Sequence, residues 1–274
     1  MVKRGQKRGQ LTIIIIIAVV IIALALTTFF LWPQISALFM NQEQSQRFLA
    51  SQAEPLRQSV SDCVKESSLE AFQKMGLQAG YYDTTGLNIL NSLDTNFIVV
   101  MYKDAAKNRI NKLPGLPQVS QQYSIFLERE GNAKIDACLD NLNSFKRVMK
   151  IETGARKITP IFYDDSILLQ VDWPMKLSKG DAIENINQKN SELLIPFGKM
   201  WKNANVIVDC ETQIGCTYEG ATWDKDVWNN PLRIRYIQRE ARSLNKDQIV
   251  FLFESIPYRE GEQPFKFNFG IDRT

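Results

Sequence analysis

Leu11-Thr-Ile-Ile-Ile-Ile-Ile-Ala-Val-Val-Ile-Ile-Ala-Leu-Ala-Leu-Thr-Thr-Phe-Phe-Leu-Trp32 holds no charge, no amide side chain, no glycine and no proline. A helix of this length spans roughly 33 Å at about 1.5 Å per residue, enough for a hydrocarbon core about 30 Å thick. The β-branched run Ile13 to Ile17 is poor helix in water. In lipid, backbone polar groups must bond within the segment, so helix is the only solution for a single strand of chain. Residues 11–32 therefore read as a transmembrane helix, and all that follows lies on one side of it.

The flank sets the orientation. Lys3, Arg4, Lys7 and Arg8 precede the apolar run with no acidic residue among them, which predicts that residues 1–10 are a basic cytoplasmic tail. A cleaved secretory signal is the competing reading, but its apolar core is usually about 7 to 15 residues and ends at a small-x-small site. Here Phe29, Phe30, Leu31 and Trp32 close a longer run as an interfacial anchor. The predicted location is the cell membrane, single-pass, with an exterior head.

Four of the 33 Lys and Arg belong to the tail, leaving 29 against 30 Asp and Glu. The basic balance of the chain thus belongs to the membrane flank and does not call for nucleic acid. The expected partners are the lipid bilayer and an envelope protein.

All four cysteines, Cys63, Cys138, Cys210 and Cys216, follow the span, on the side where disulfides persist. Three pairings are open. The short separation of Cys210 and Cys216 favours their union, which leaves Cys63 for Cys138. Zinc is the weaker reading, because its pairs are usually closer spaced and this chain has no histidine. Without histidine, no Ser-His-Asp or Cys-His nucleophile system can form. Carboxylate, Lys or Tyr chemistry remains open. No catalytic residue, cofactor or metal site is assigned.

Residues 33–54 read as a polar stalk, open to a helical form, spacing the head from the bilayer, and residues 55–274 as the exterior domain, with a division into two subdomains near residue 150. A helix is expected from Pro55, suited to a first helical position, with Leu56, Val60, Cys63, Val64, Phe72 and Met75 inward and Gly76 at its end. A strand is expected at 96–102. From Pro117 a helical pattern runs through Tyr123, Phe126 and Leu127, pauses near Gly131-Asn132, and resumes through Ile135, Cys138, Leu139, Leu142 and Phe145. Cys63 and Cys138 both fall on apolar stripes, so two helices packed face to face would bring their sulfurs together.

After Gly154 the apolar period moves toward two. A β-hairpin is expected from 158–163 and 167–173 around Asp164-Asp165-Ser166, with Ile167, Leu169, Val171 and Trp173 on one face. Asp181 reads as the cap of a helix carrying Ile183 and Ile186. Val206-Ile-Val208 reads as the approach to a stapled excursion at Cys210–Cys216. Three more strands are expected at 232–237, 249–253 and 265–271, the last with Phe265, Phe267, Phe269 and Ile271 buried and its other face wet. The fold class is α+β: an N-terminal transmembrane helix, then an exterior head with helices in its first half and antiparallel strands in its second.

Lys7-Arg8-Gly9-Gln10 before the apolar run resembles the class III, type IV pilin-like signal of archaeal proteins. Gly76-Leu-Gln-Ala-Gly-Tyr-Tyr82, Cys138-Leu-Asp-Asn-Leu-Asn-Ser-Phe145 and Val171-Asp-Trp-Pro174 are similar to uncharacterised archaeal membrane-anchored proteins with that signal. The resemblance covers residues 7 to 175. It implies a processing site between Gly9 and Gln10 and carries no catalytic residues. The pattern departs from a polymerising pilin at Ile14, where glutamate is usual, and Lys3-Arg-Gly-Gln6 duplicates the tetrapeptide. A permanent anchor is therefore favoured over a pilin subunit.

Ser243-Leu-Asn-Lys246 has the Ser-x-x-Lys spacing of penicillin-binding enzymes without its companion motifs. An envelope hydrolase using carboxylates or Lys246 is accordingly the remotest reading. Asp224-Lys-Asp226 and Asp164-Asp165 lack the regular oxygen spacing of a calcium loop and read as turns.

Overall fold

A computed structural model describes Thr27 and residues 42–92, 95–213, 234–240, 247–255 and 263–274, with Ser92 and residues 234–240 described by backbone alone. Among these residues no helix is long and apolar enough to cross a membrane. The expected span at 11–32 lies, but for Thr27, outside them. So do Gly9, Gln10, Cys216, Asp224-Lys-Asp226 and Ser243–Lys246.

The described part is α+β. Helix α1, Gln42–Leu77, runs through Pro55; a proline interior to a helix costs the hydrogen bond its missing N–H would have made. The helix expected from Pro55 is the later part of α1, and residues 42–54 of the segment read as a stalk are its earlier part. The buried side of α1 is the one expected: Leu56, Val60, Cys63, Val64, Phe72 and Met75 are all at most 6% exposed.

The chain divides into two units, and the boundary on α1 falls after Leu56. Of the described residues, 42–56, 142–154 and 175–186 form the smaller unit. Its sheet has the order β4-β7-β8, from Lys150–Thr153, Met175–Lys179 and Ala182–Ile186. Lys179 pairs with Ala182 across a two-residue turn, and Gly180 takes φ +57° there, a left-handed conformation that glycine adopts without penalty. The helix expected after Asp181 is thus a hairpin strand. Ala182 and Ile186 are buried while Ile183 is 48% exposed, a spacing of four that fits either period.

The larger unit holds residues 57–141, 155–174 and 187–274. Its main sheet is built from β1 (Ile89–Ser92), β2 (Thr95–Lys103), β3 (Arg109–Asn111), β10 (Ile234–Glu240), β11 (Gln248–Ser255) and β12 (Lys266–Asp272). The order is β1-β2-β12-β11-β10, with β3 also pairing β2. Strands therefore occur in the first half of the head as well as the second. One pair, β12 with β2, is parallel, so the sheet is mixed. Because β12 lies centrally, its expected wet face is covered too: Asn268 is 4% exposed and Gly270 is buried.

A second sheet, β5-β6-β9, contains the expected hairpin, Lys157–Phe162 with Ile167–Asp172, and then Ser191–Leu193. Ile167, Leu169, Val171 and Trp173 are all buried. Helix α2, Leu116–Phe126, passes through a π-turn at Leu127–Gly131 into α3, Asn132–Cys138. The extra residue of the π-turn is the expected pause. Helix α4, Phe197–Thr212, replaces the extended approach read from Val206-Ile-Val208. Three β-branched or aliphatic residues in a row carry no period, and tertiary packing decided for helix.

The interior of this unit is aromatic. Phe197 stands 5.7 Å from Phe72, 5.4 Å from Phe162 and 5.5 Å from Phe267, ring centre to ring centre. One side chain at the start of α4 thereby joins α1, the hairpin and the central strand. Ring pairs of this kind contribute about 0.5–1.5 kcal/mol each beyond their area.

Candidate functional site

Within the larger unit, one helical face of α1 lines a groove of about 660 Å³ with residues Asp62, Lys65, Glu66, Leu69 and Gln73. Positions three, four, seven and eleven beyond the first fall on one side of a helix. The opposite wall is Glu192-Leu193-Leu194-Ile195 at the end of β9, and Gln263 and Phe265 complete it. The volume is in the range of ligand sites.

The floor is apolar: Leu193, Ile195 and Phe265 are 6%, 8% and 4% exposed. Leu194 is different. The Ile195 N–H donates to the Leu193 carbonyl at 3.0 Å, a three-residue turn at the strand end that pushes the residue between them outward. Leu194 is left 68% exposed at the lip of the groove. The rim carries three carboxylates, Asp62, Glu66 and Glu192, against one ammonium, Lys65. Asp62 and Glu66 are exposed, and Gln58 donates to Asp62 at 2.8 Å.

The groove helix is pinned by a disulfide. Cys63 and Cys138 are joined, with Cα atoms 5.7 Å apart, the connectivity favoured from the sequence. Cys63 is buried, but Cys138 is exposed, unlike the inward position expected of it. It is the last residue of α3, and after Leu139 the three residues Asp140, Asn141 and Leu142 all take positive φ. The chain turns out of the helix there, and the bridge closes on the rim of the packing. Cys210 is also disulfide-bonded, and its expected partner Cys216 lies outside the described residues.

A charged cluster surrounds the π-turn. The Tyr82 hydroxyl donates to Glu130 at 2.5 Å, and Lys134 bridges Glu130 and Glu70 at 3.4 and 2.5 Å. Burial first, then Glu130, pushes Tyr82 up to about 12. The Tyr82 hydrogen bond holds Glu130 below the usual carboxylate range, and Glu70 raises Lys134. Each shift moves its group away from neutral pH. A general acid or base needs the opposite, so this cluster braces α1 against α3.

Asp164 and Asp165, the candidate turn acids, form ion pairs with Lys202 and Lys199 of α4. Their carboxylates are engaged by ammonium groups, which a hard cation would have to displace. Among the described residues no three His, Cys, Asp or Glu side chains converge as a metal would require. The groove was missed from the sequence because Leu194 follows a three-residue strand and nothing in its neighbours marks it as displayed. Comparison with protein-family models, with curated proteins and with solved structures finds no match to the chain.

Proposed function

We propose that this chain is a single-pass, membrane-anchored envelope protein whose exterior head binds a partner. The partner-binding part rests on one observation: a disulfide-pinned helix faces an apolar groove with Leu194 displayed at its lip. Leu69, Leu193, Leu194, Ile195 and Phe265 share one concave surface with a few polar side chains, which is the form a binding site takes. The anchoring part rests on residues 11–32 and their basic flank, and the disulfides favour the exterior compartment. Of the segment read as a stalk, residues 42–54 belong to the head itself: Leu49 and Ala53 are buried, and Gln46 donates to the Ile183 carbonyl and to Glu184.

Protease added to intact cells tests the orientation. Digestion of the head with survival of the N-terminal tail is expected; a protected head overturns it. A pilin-like subunit is the second reading, favoured by Lys7-Arg8-Gly9-Gln10 directly before the apolar run. Mass spectrometry of the mature N-terminus separates the two, since an intact Met1 or Val2 removes the pilin reading and an N-terminal Gln10 establishes processing.

A further inference from the structure

We infer that the groove takes an extended peptide segment of another envelope protein in which apolar residues alternate with Lys or Arg. The inference rests on the partner-binding reading and adds the chemistry of the partner. Three features specify it.

The first is shape. One wall of the groove is the end of β9, and among the described residues β9 pairs only with β6 and is the last strand of its sheet. An edge strand presents backbone groups that an extended chain can join. A helical ligand would leave that edge unused.

The second is the floor. Leu69, Leu193, Ile195 and Phe265 supply apolar contacts along the groove, and Leu194 extends them to its lip. A strand directs alternate side chains to one face, so every second residue of the incoming segment would meet this surface.

The third is charge. Asp62, Glu66 and Glu192 outnumber Lys65 along the rim. Like charge opposite these carboxylates is repelled, while Lys or Arg is attracted and steered. Glu192 and Leu194 are two residues apart, so acidic and apolar recognition come from the same short stretch. The remaining residues of the segment, between the apolar ones, would therefore be basic.

The test uses the full-length chain in phosphatidylcholine nanodiscs, with empty nanodiscs as background. Three labelled nine-residue peptides with blocked ends are compared: alternating Val and Lys, the same with Glu for Lys, and the same with Ser for Val. The Val/Lys peptide is expected to bind at least tenfold more tightly than either counterpart, and more weakly as salt rises. Leu194→Ser and Glu66→Lys should each weaken it about tenfold with an unchanged melting temperature, since both side chains are exposed. Equal binding of the Val/Glu peptide, or an affinity indifferent to both substitutions, overturns the inference.

A photocrosslinking scan keeps the two readings apart. The full chain carries p-benzoylphenylalanine at Leu194, or at Val206 or Tyr163, which are exposed and do not line the groove. A Leu194 adduct whose attached peptide alternates apolar and basic residues supports the inference. Adducts at Val206 or Tyr163 alone overturn the groove and keep the partner-binding reading. Absence of adducts at all three overturns both.

Discussion

The carbonyl oxygen of Lys266 occupies the space that a side chain at Gly76 would need: a Cβ there would lie 2.2 Å from it. The end of α1 and the start of the central strand β12 thus meet backbone to backbone. Gly76→Ala should destabilise the larger unit by about 1–3 kcal/mol, because neither main chain can yield as a flexible side chain would. Urea unfolding checks it. An unchanged midpoint would show that the two segments move apart freely.

The bridge from Cys63 to Cys138 closes a separation of 75 residues. In the chain-entropy model a loop of that size contributes about 4.5 kcal/mol, a large share of the about 5–15 kcal/mol that a domain possesses. Replacing both cysteines with alanine should lower the melting temperature strongly and loosen α1 along the groove. Replacing Cys210 and Cys216 should cost less, about 2.4 kcal/mol for a loop that short. Non-reducing peptide mapping and calorimetry of the two double variants give the comparison.

Ser68 and Tyr123 share a hydroxyl hydrogen bond of 2.6 Å in the interior, and both are 0% exposed. Burial pushes the Tyr123 phenol up to about 12. The folded value lies above the unfolded one of about 10, so the neutral phenol's contribution is complete below pH 10 and is lost as pH rises through about 12. The loss should be about 2–3 kcal/mol. Tyr123→Phe should flatten this part of the alkaline stability profile. At pH 7 it should cost about 1–3 kcal/mol, since the Ser68 hydroxyl is left unpaired, and Ser68→Ala added to it should recover part of that. Urea midpoints from pH 9 to 12 measure both effects.

The hairpin at 157–172 and the central strand were legible because their periods are unmistakable: Ile167, Leu169 and Val171 alternate, as do Phe267, Phe269 and Ile271. The disulfide was legible from the short separation of Cys210 and Cys216, which leaves Cys63 for Cys138, and from Cys63 on its apolar stripe; the exposure of Cys138 was not. Other features were decided by contacts that no local pattern encodes. Pro55 sits inside a helix because packing on both sides outweighs one missing hydrogen bond. Val206–Val208 became helix because Phe197 and Met200 anchor that segment in the core. The buried second face of β12 follows from its central place in the sheet, and centrality belongs to topology. The groove was least legible of all, being assembled from α1, the end of β9 and the approach to β12, which are distant in sequence.

Arg156 and Trp173 stand opposite each other at the open end of the hairpin, since Lys157 pairs with Asp172 and they are the next residues outward. The guanidinium lies 3.8 Å from the Trp173 ring centre. Its Nη1 donates to the carbonyl and side-chain oxygens of Asn132, each at 3.2 Å, and its Nη2 donates to Asp136. With its side chain only 9% exposed, Arg156 ties the hairpin to α3, the helix that carries Cys138. A lysine can reach one of these oxygens but lacks the planar fork that stacks and donates in two directions at once. Arg156→Lys should therefore cost about 2–3 kcal/mol, of which stacking on Trp173 supplies about 1 kcal/mol. A double-mutant cycle with Trp173→Leu resolves the stacking share. Coupling near zero would show that the guanidinium acts only through its hydrogen bonds, and full recovery by lysine would show that charge alone is what α3 requires.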